Sequence, residues 1–306
     1  MILSVTIDLD PLWCYREIYG LEQAGGAPIA DPVTRVATER FCELADSLGV
    51  RGTLFTVGRA LEDASASEAI GRAHAQGHEV ANHTYSHLYD LSRSEPEAIK
   101  DEIVRGAAAV EAACGEKPQG FRAPGYLLGS RMLEQVASAG ASYDSSVLPS
   151  PVYQGVKAAA VSMLGLFGRS SGAVLGDPRE AFSPARPYRP DPHRPWKRGP
   201  GPLLELPISS VLGLPLIGSV LVSAGARMAS YLAVLAARAG FVNLELHGVD
   251  LMDLDADGLD PALGIQRDFK VPWGKKAEII SIFIRALLQT HRPMPLWEAA
   301  ALLSSC

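Results

Sequence analysis

Cysteine is scarce in this sequence, and the few cysteines are far apart. The 306 residues contain four, Cys14, Cys42, Cys114 and Cys306, with no Cys-x-x-Cys pair. A disulfide-stapled domain depends on a dense cysteine framework, so that class of protein does not fit. We therefore expect free thiols in a reducing compartment.

The chain also lacks an excess of positive charge and a recognisable secretory signal. Its 28 Lys and Arg residues face 34 Asp and Glu residues, and the net charge of −6 argues against general nucleic-acid binding. A secretory signal needs a basic start and an apolar stretch, whereas "MILSVTIDLD" reaches two aspartates within ten residues. We expect a cytoplasmic protein that binds no nucleic acid.

One long stretch has no charge at all. Residues 206–226, "LPISSVLGLPLIGSVLVSAGA", number 21, which is long enough for a helix to span a bilayer. Pro207, Pro215 and three glycines interrupt a continuous helix. The stretch therefore indicates a buried strand, a turn and the start of a helix. Contact with a membrane surface through residues 150–226 is the alternative.

Short apolar runs alternate with helical patterns along most of the chain. Seven runs predict strands: "ILSVTIDLD", "GTLFTVG", "HEVANHT", "GFRAPGY", "ASYDSS", "LLELPIS" and "FVNLELHG". Helical periodicity predicts helices near residues 33–48, 96–113, 130–139, 224–239 and 275–289. Repeated strand–helix units form parallel sheets, and this many units without a clear break predict one α/β barrel over residues 1–306.

The alternation stops between Pro149 and Pro202. Residues 169–202 contain eight prolines, and their seven Arg or Lys against three Asp or Glu give a local balance of +4. This composition indicates an insertion on the barrel at about residues 150–202. The insertion is either a solvated excursion or a cover that attracts a phosphate-bearing or membrane-bound substrate.

Polar and ionisable residues follow the predicted strands at the points where those strands end. In a parallel barrel, the carboxyl ends of the strands and the loops after them form one functional face. The residues at those ends are Asp8, Asp10, His83, His87, Arg122, Tyr126, Asp144 and His247. We therefore expect these side chains to meet at one rim of the barrel.

His83 and His87 form a close pair in a chain with only seven histidines. If they open a helical turn, their side chains project to the same side and two imidazole nitrogens can reach one ion. A zinc site needs a third protein ligand, which an aspartate would supply. A surface or core pair is the commoner origin of this spacing.

Asp8 and Asp10 strengthen the prediction of a metal site. Residues i and i+2 of a strand point to the same face, and burying two carboxylates together is costly without a cation. A metal on Asp10 and the Arg122 guanidinium beside Asp8 would supply that positive charge. The alternative is that the two aspartates cap the loop that begins at Pro11.

Four motifs in this order, "TIDLD", "HTYSH", "FRAPGY" and "LELHG", resemble those of the polysaccharide deacetylases, the NodB-homology or carbohydrate esterase family 4 enzymes. The resemblance covers about residues 1–148 and 203–303. It implies a distorted (β/α) barrel of about seven parallel strands. It also implies one divalent metal, usually Zn²⁺, with Co²⁺, Ni²⁺ and Fe²⁺ as alternatives.

The resemblance implies a role for each matching residue. Asp10, His83 and His87 match the metal ligands, Asp8 the catalytic base, Arg122 the arginine that orients this base, His247 the general acid, and the backbone N–H of Tyr126 the oxyanion stabiliser. These roles together describe hydrolysis of an amide bond, in which water attacks the acyl carbon and an amine leaves.

The sequence departs from the family pattern at two places. Leu9 separates Asp8 from Asp10, whereas the common motif has adjacent aspartates. In "YDSS", no tryptophan follows Asp144 to tune the acid histidine. We therefore expect Asp144 or Asp250 to tune His247.

The function implied by the resemblance is a metal-dependent hydrolase that removes an N-acyl group, most simply acetyl, from an amino-sugar derivative. The sugar is free, or is carried on a nucleotide, another phosphate or a lipid. A deformylase or a cyclic-amide hydrolase of the same fold is one alternative. A carbohydrate- or lipid-binding protein that has lost turnover is another.

Overall fold

The structure is a computed structural model that describes residues 1–21, 31–166 and 174–305. Its strands are β1 (Ile2–Leu9), β2 (Thr53–Thr56), β3 (Glu79–Asn82), β4 (Gly120–Phe121), β5 (Tyr143–Asp144), β6 (Pro190–Asp191), β7 (Arg194–Arg198), β8 (Leu204–Glu205), β9 (Ser210–Val211), β10 (Leu214–Pro215), β11 (Phe241–His247) and β12 (Arg292–Pro293). Its α-helices are α1 (Leu12–Ile18), α2 (Pro32–Leu48), α3 (Ala64–Ala75), α4 (Pro96–Cys114), α5 (Ser130–Ser138), α6 (Pro151–Leu166), α7 (Gly218–Ala236), α8 (Trp273–Leu287) and α9 (Leu296–Ser304).

The main sheet is parallel, and β1 lies between β11 and β2. Its strand order is β11-β1-β2-β3-β4-β5-β8, and β12 pairs with the first residues of β1. The seven runs predicted from the sequence are the seven strands of this order. The prediction of an α/β fold with about seven parallel strands is therefore confirmed.

The two ends of the curled sheet are joined by a connecting segment. After β8, the Ser209 N–H donates to the Asn243 carbonyl at 3.0 Å, and the Glu245 N–H of β11 donates to the Leu216 carbonyl at 3.2 Å. The Asn243 side chain also donates to the Leu206 carbonyl at 3.2 Å. Because this closure uses a loop and because β4, β5 and β8 are only two residues long, the (β/α) barrel is distorted.

The two faces of β1 differ in polarity. On one face, Leu3, Val5 and Ile7 are buried in an apolar cluster that includes Phe41 of α2 and Ile280 of α8. On the other face, Ser4, Thr6 and Asp8 are buried and polar. The alternation of apolar and polar residues along a strand produces this division, and it directs Asp8 into the barrel.

The helices agree with the predicted ones in type and nearly in their bounds. The five predictions correspond to α2, α4, α5, α7 and α8, although α7 already begins at Gly218. Asp31 caps α2 by accepting from the Val33 N–H at 2.9 Å, and Gly49 ends it with φ +66°. The stretch 206–226 contains a hairpin, β9–β10, and the start of α7. The predicted turn and helix start are present, but the strands of the hairpin are only partly buried.

Helix α7 is the one described helix that is long and apolar enough to cross a membrane. Length and composition alone do not show a membrane span, because the core helix of a globular protein meets the same criteria. Seven of its residues are buried, among them Leu221, Leu232 and Ala236. These three side chains belong to the same apolar cluster as Phe283 of α8.

The predicted insertion contains more regular structure than its composition indicates. Helix α6 fills the apolar stretch after Pro149, and β6 and β7 form an antiparallel hairpin further on. Arg179, Arg189, Arg194 and Arg198 bond to other residues of this same stretch. The assignment of one domain with an insertion at 150–202 stays a prediction.

Gly106 of α4 lies where this helix crosses the end of β3. A Cβ added there would come within 2.3 Å of Asn82 Oδ1 and within 2.8 Å of the Thr84 carbonyl oxygen. We expect Gly106→Ala to lower the free energy of unfolding by roughly 1–3 kcal/mol, because overpacking outweighs the gain in helix propensity. Urea unfolding measures the change.

Gly274→Ala is the matched control, since a Cβ on this glycine of α8 meets no atom within 4 Å. It should be neutral or stabilising by up to about 1 kcal/mol. Equal effects of the two substitutions would contradict the packing argument.

Candidate metal centre and catalytic pocket

The structure brings six of the predicted site residues together at the carboxyl ends of the strands. These are Asp8, Asp10, His83, His87, Arg122 and His247, and only His247 has appreciable side-chain exposure. They come from the ends of β1, β3, β4 and β11 or from the loops that follow. These six residues therefore lie at one rim of the barrel, as expected from the sequence.

Asp10, His83 and His87 form the centre of this group. Asp10 Oδ1 lies 3.2 Å from His83 Nε2 and 3.2 Å from His87 Nε2. Burial opposes ionisation of Asp10, but the two imidazoles outweigh it and hold the pKa of this carboxyl well below its usual range. One carboxylate oxygen and two imidazole nitrogens thus converge on one point.

This donor set fits a divalent metal. The three ligand atoms lie within 4.8 Å of one another. Asp10 Oδ1 and His87 Nε2 are buried yet make no hydrogen bond, which is costly for polar atoms unless a further partner binds them. A carboxylate with two imidazoles is a ligand set that zinc accepts, with one position left for a substrate or water.

The loop that carries the histidines is not a helical turn, so their imidazoles converge for a different reason than the i, i+4 spacing. Thr84 and His87 both have left-handed backbone, with φ of +65° and +57°. The Asn82 side chain accepts from the Thr84 N–H at 3.0 Å, and the Thr84 hydroxyl accepts from the His87 N–H at 3.1 Å. Local side-chain bonds therefore set the convergence of the imidazoles.

Arg122 binds Asp8 as predicted. Its Nη1 donates to Asp8 Oδ1 at 2.5 Å, and its Nε donates to the Ser145 carbonyl at 2.8 Å. The guanidinium is fully buried and lies over the Phe55 ring at 4.0 Å. Its backbone carbonyl meets His83 Nδ1 at 2.7 Å, which directs His83 Nε2 towards Asp10.

Glu245 is the carboxylate that contacts His247, and the sequence analysis missed it. Glu245 Oε1 lies 3.1 Å from His247 Nδ1 and accepts from the Tyr126 hydroxyl at 3.1 Å. Burial alone would lower the pKa of His247, but Glu245 and then Asp10 outweigh it and raise this pKa to about 9. The spacing Glu-x-His at the end of a strand, which puts both side chains on one face, was the available signal.

Asp144 and Asp250, the two residues expected to tune His247, differ in their contacts. Asp144 accepts from the Ser146 N–H and hydroxyl, both at 2.9 Å, and lies beside Glu205 of β8. Burial raises the pKa of both carboxyls, and Asp144 raises that of Glu205 further. Asp250 accepts from the His247 backbone N–H at 2.8 Å. Asp250 also raises the pKa of His247, after Glu245, Asp10 and Asp8, so the expectation holds for Asp250. Glu245 has the larger effect, and it takes the role expected of Asp144.

The backbone N–H of Tyr126, predicted as an oxyanion donor, lies in a tight turn. It donates to the Ala123 carbonyl at 3.3 Å, a long hydrogen bond. Gly125 and Tyr126 both have φ of +63°. The oxyanion role stays a prediction, and it requires this N–H to turn towards the substrate.

A pocket of about 200 Å³ opens above the centre. Its base holds Asp8, Asp10, His83 and His247. Its walls hold Tyr15 and Tyr19 from the start of the chain, Tyr89, Tyr126, and Tyr153 with Lys157 from α6. Flat aromatic walls over a polar base suit a sugar ring. The insertion therefore reaches the site through α6. The arginines of residues 169–202 that have described partners bond to other residues of the insertion.

We expect Glu245→Gln to lower the pKa of His247 from its value of about 9. The substitution removes the main charge that favours the imidazolium, whereas the burial that opposes it remains. NMR titration of the histidine ring protons in metal-free protein measures this pKa. Glu79→Gln is the control, because Glu79 bonds to Thr53 and Tyr143 and not to His247. An unchanged His247 pKa in Glu245→Gln would contradict the assignment.

Comparison with known sequences finds one matching family. Residues 30–143 match the family model described as polysaccharide deacetylase. A chitooligosaccharide deacetylase of Bradyrhizobium sp. (strain ANU 289) is 40 % identical over 92 residues. This match covers 30 % of this chain and spans 41 % of the length of that curated relative.

Solved structures share the fold of this chain. A Mycobacterium smegmatis protein, provisionally assigned as a polysaccharide deacetylase, has a TM-score of 0.63 at 18 % identity over 99 % of this chain and 90 % of its own. The Xyl-CE4 domain of a multidomain xylanase from the hindgut metagenome of Trinervitermes trinervoides has a TM-score of 0.50 at 13 % identity over 99 % and 91 %. Identities this low show a shared fold only. Residues 30–143 therefore match the polysaccharide deacetylase family in sequence, and the chain shares its fold with these solved structures.

Proposed function

We propose that this protein is a metal-dependent N-deacetylase that releases an acetyl group from an amino-sugar derivative. The observation that carries the proposal is the buried set Asp10, His83 and His87, whose ligand atoms converge beside Asp8 and His247. The family supplies the reaction class, hydrolysis of an acetylated sugar.

Each side chain around the metal centre has a separate role in amide hydrolysis. A divalent ion on Asp10, His83 and His87 would supply a Lewis acid for the acyl carbonyl. Asp8, held by Arg122, accepts a proton as water attacks the acyl carbon. His247, charged through Glu245, donates a proton to the departing nitrogen. The C–N bond breaks, and a carboxylate and a free amine leave.

We propose that the ion is Zn²⁺ and that Asp8 and Asp10 have separable roles. Asp10→Asn should lose bound metal, because it removes an anionic ligand. Asp8→Asn should keep the metal but lose turnover by about 10²-fold or more, because it removes the base and leaves an oxygen for Arg122. Elemental analysis and release of acetate from N-acetylated sugars measure the two effects, and a chelator should abolish turnover in the wild type.

The substrate panel should contain free, nucleotide-linked and lipid-linked N-acetyl sugars, with formyl and cyclic-amide compounds beside them. Release of acetate confined to one group of sugars supports the proposal and names the carrier. Formate release or ring opening would replace it with the alternative hydrolase functions. If the protein binds metal but turns over none of these compounds, the result would indicate a carbohydrate- or lipid-binding protein instead of an enzyme.

We also propose that the protein works in the cytoplasm at a membrane surface, on a sugar carried by a lipid or another phosphate. Helix α6 has one face towards the pocket and an exposed apolar face, where Val156 and Met163 are 64 % and 60 % exposed. The tip of the β9–β10 hairpin lies beside it, since Gly213 and Val152 are in contact range. Cys14 and Cys42 are buried free thiols, which suits a reducing compartment.

Leu212 at this hairpin tip supports the membrane proposal most directly. It is 82 % exposed and has φ +53°, followed by Gly213 with φ +79°. A two-residue turn of this kind favours Asn-Gly, so folding gives no reason for a leucine. Helix α6 and residues 206–244 contain no Asp or Glu, although the whole chain has a net charge of −6. An apolar tip between segments without acidic residues suits an anionic lipid surface.

Leu212→Asn separates membrane binding from folding. Co-sedimentation with phosphatidylglycerol vesicles should weaken roughly 10-fold or more, because one exposed leucine no longer inserts. The free energy of unfolding should stay equal or rise, because Asn-Gly suits the turn. Val104→Gln, a half-exposed apolar position on α4, is the control. Absence of vesicle binding in the wild type, or a dimer that covers this face, would overturn the proposal.

A further inference from the structure

The wall of the pocket contains a cation that the hydrolysis described above does not use. Among the described residues that line the pocket, Lys157 has the one lysine or arginine side chain. Asp8 and Asp10 lie at the base of the same pocket. The pocket therefore has an acidic base and a basic wall.

The Lys157 ammonium lies above the turn that carries Tyr126. Its Nζ donates to the Gly125 carbonyl at 3.3 Å, and a Cβ added to Gly125 would lie 3.7 Å from the same nitrogen. That Cβ would also lie 3.2 Å from the Tyr89 ring. Lys157 and Tyr89 thus flank one small opening above the turn, next to the metal centre, since the Tyr89 and His87 rings are 4.8 Å apart.

The charge of Lys157 is incompletely compensated. Within the described residues it forms no ion pair, and its hydrogen bond to Gly125 is long. Burial lowers the pKa of Lys157 to about 8, and burial raises the pKa of Glu180, the acid whose charge acts on it, to about 7. A partly desolvated ammonium with a weak partner is stabilised by any anion that reaches it.

We propose that Lys157 binds an anionic group of the substrate, a phosphate or a carboxylate, so that the pocket selects acidic amino sugars over neutral ones. This inference rests on the proposed function and names its substrate class. The carboxylates at the base repel such a group, and Lys157 attracts it to the opposite wall. A sugar held in this way directs its other substituents, including the acylated nitrogen, towards Asp8 and His247. Lysine suits this task because its ammonium is a compact charge with three donors.

Binding of three probes to the full chain tests the proposal without requiring turnover. They are N-acetylglucosamine, N-acetylglucosamine 1-phosphate and N-acetylglucosaminuronic acid, measured by titration calorimetry. The wild type should bind at least one acidic sugar more tightly than the neutral one. Lys157→Met should weaken binding of that sugar about 10- to 100-fold and affect the neutral sugar far less. Loss for the phosphate alone or for the carboxylate alone identifies the anion.

Two further variants keep the result interpretable. Lys157→Arg keeps the charge and should retain most of the preference for the acidic sugar. Lys197→Met removes an exposed lysine of β7 and should match the wild type. Equal affinity of the wild type for acidic and neutral sugars, or an unaltered preference in folded Lys157→Met, would overturn the proposal. Tight binding of an acidic sugar without acetate release would instead contradict the proposed function.

Discussion

The site depends on the burial of one guanidinium. Arg122 is fully buried, and its three nitrogens bond to Asp8, Thr6 and Ser145, which ties together β1 and the end of β5. Its own carbonyl sets the orientation of His83. Removal of Asp8 would leave an unpaired buried cation, and removal of Arg122 would leave an unpaired buried anion. Arg122 therefore positions both the catalytic base Asp8 and the metal ligand His83. The interior of the barrel tolerates these polar groups because the network gives them hydrogen-bond partners.

Much of the fold follows from local patterns in the sequence. The seven strands were predictable because β1, β2 and β11 are apolar runs and because shorter runs repeat between helices. The site residues were predictable as a group because parallel strands place their carboxyl ends on one rim. The loop from His83 to His87 was not predictable, since its left-handed residues depend on Asn82 and Thr84 side chains that bond only in the folded chain. Asp144 was mistaken for the partner of His247, a role that strand alternation gives to Glu245.

The insertion shows how composition and structure can diverge. Its prolines and arginines suggested a basic cover, but the arginines with described partners bond within the insertion. The apolar stretch before them forms α6, which was not predicted as a helix. That helix has a pocket face with Tyr153 and Lys157 and an outer face with Val156 and Met163. A helix apolar on its solvent side contradicts the usual pattern for a surface helix, and this reversal suggests that the outer face has a partner.

The position of β1 has a consequence for synthesis of the chain. β1 carries Asp8 and leads directly to Asp10, and it is translated before the other strands of the sheet, yet it pairs along its length with β11, and its first residues pair with β12. One edge of β1 therefore has no neighbouring strand until about residue 247 has been translated. The first residues of β1 gain their β12 partner only when Pro293 has been translated. The complete site, which joins Asp8 and Asp10 to His247 of β11, can therefore form only late, and the nascent chain must keep an apolar edge strand from pairing wrongly in the meantime.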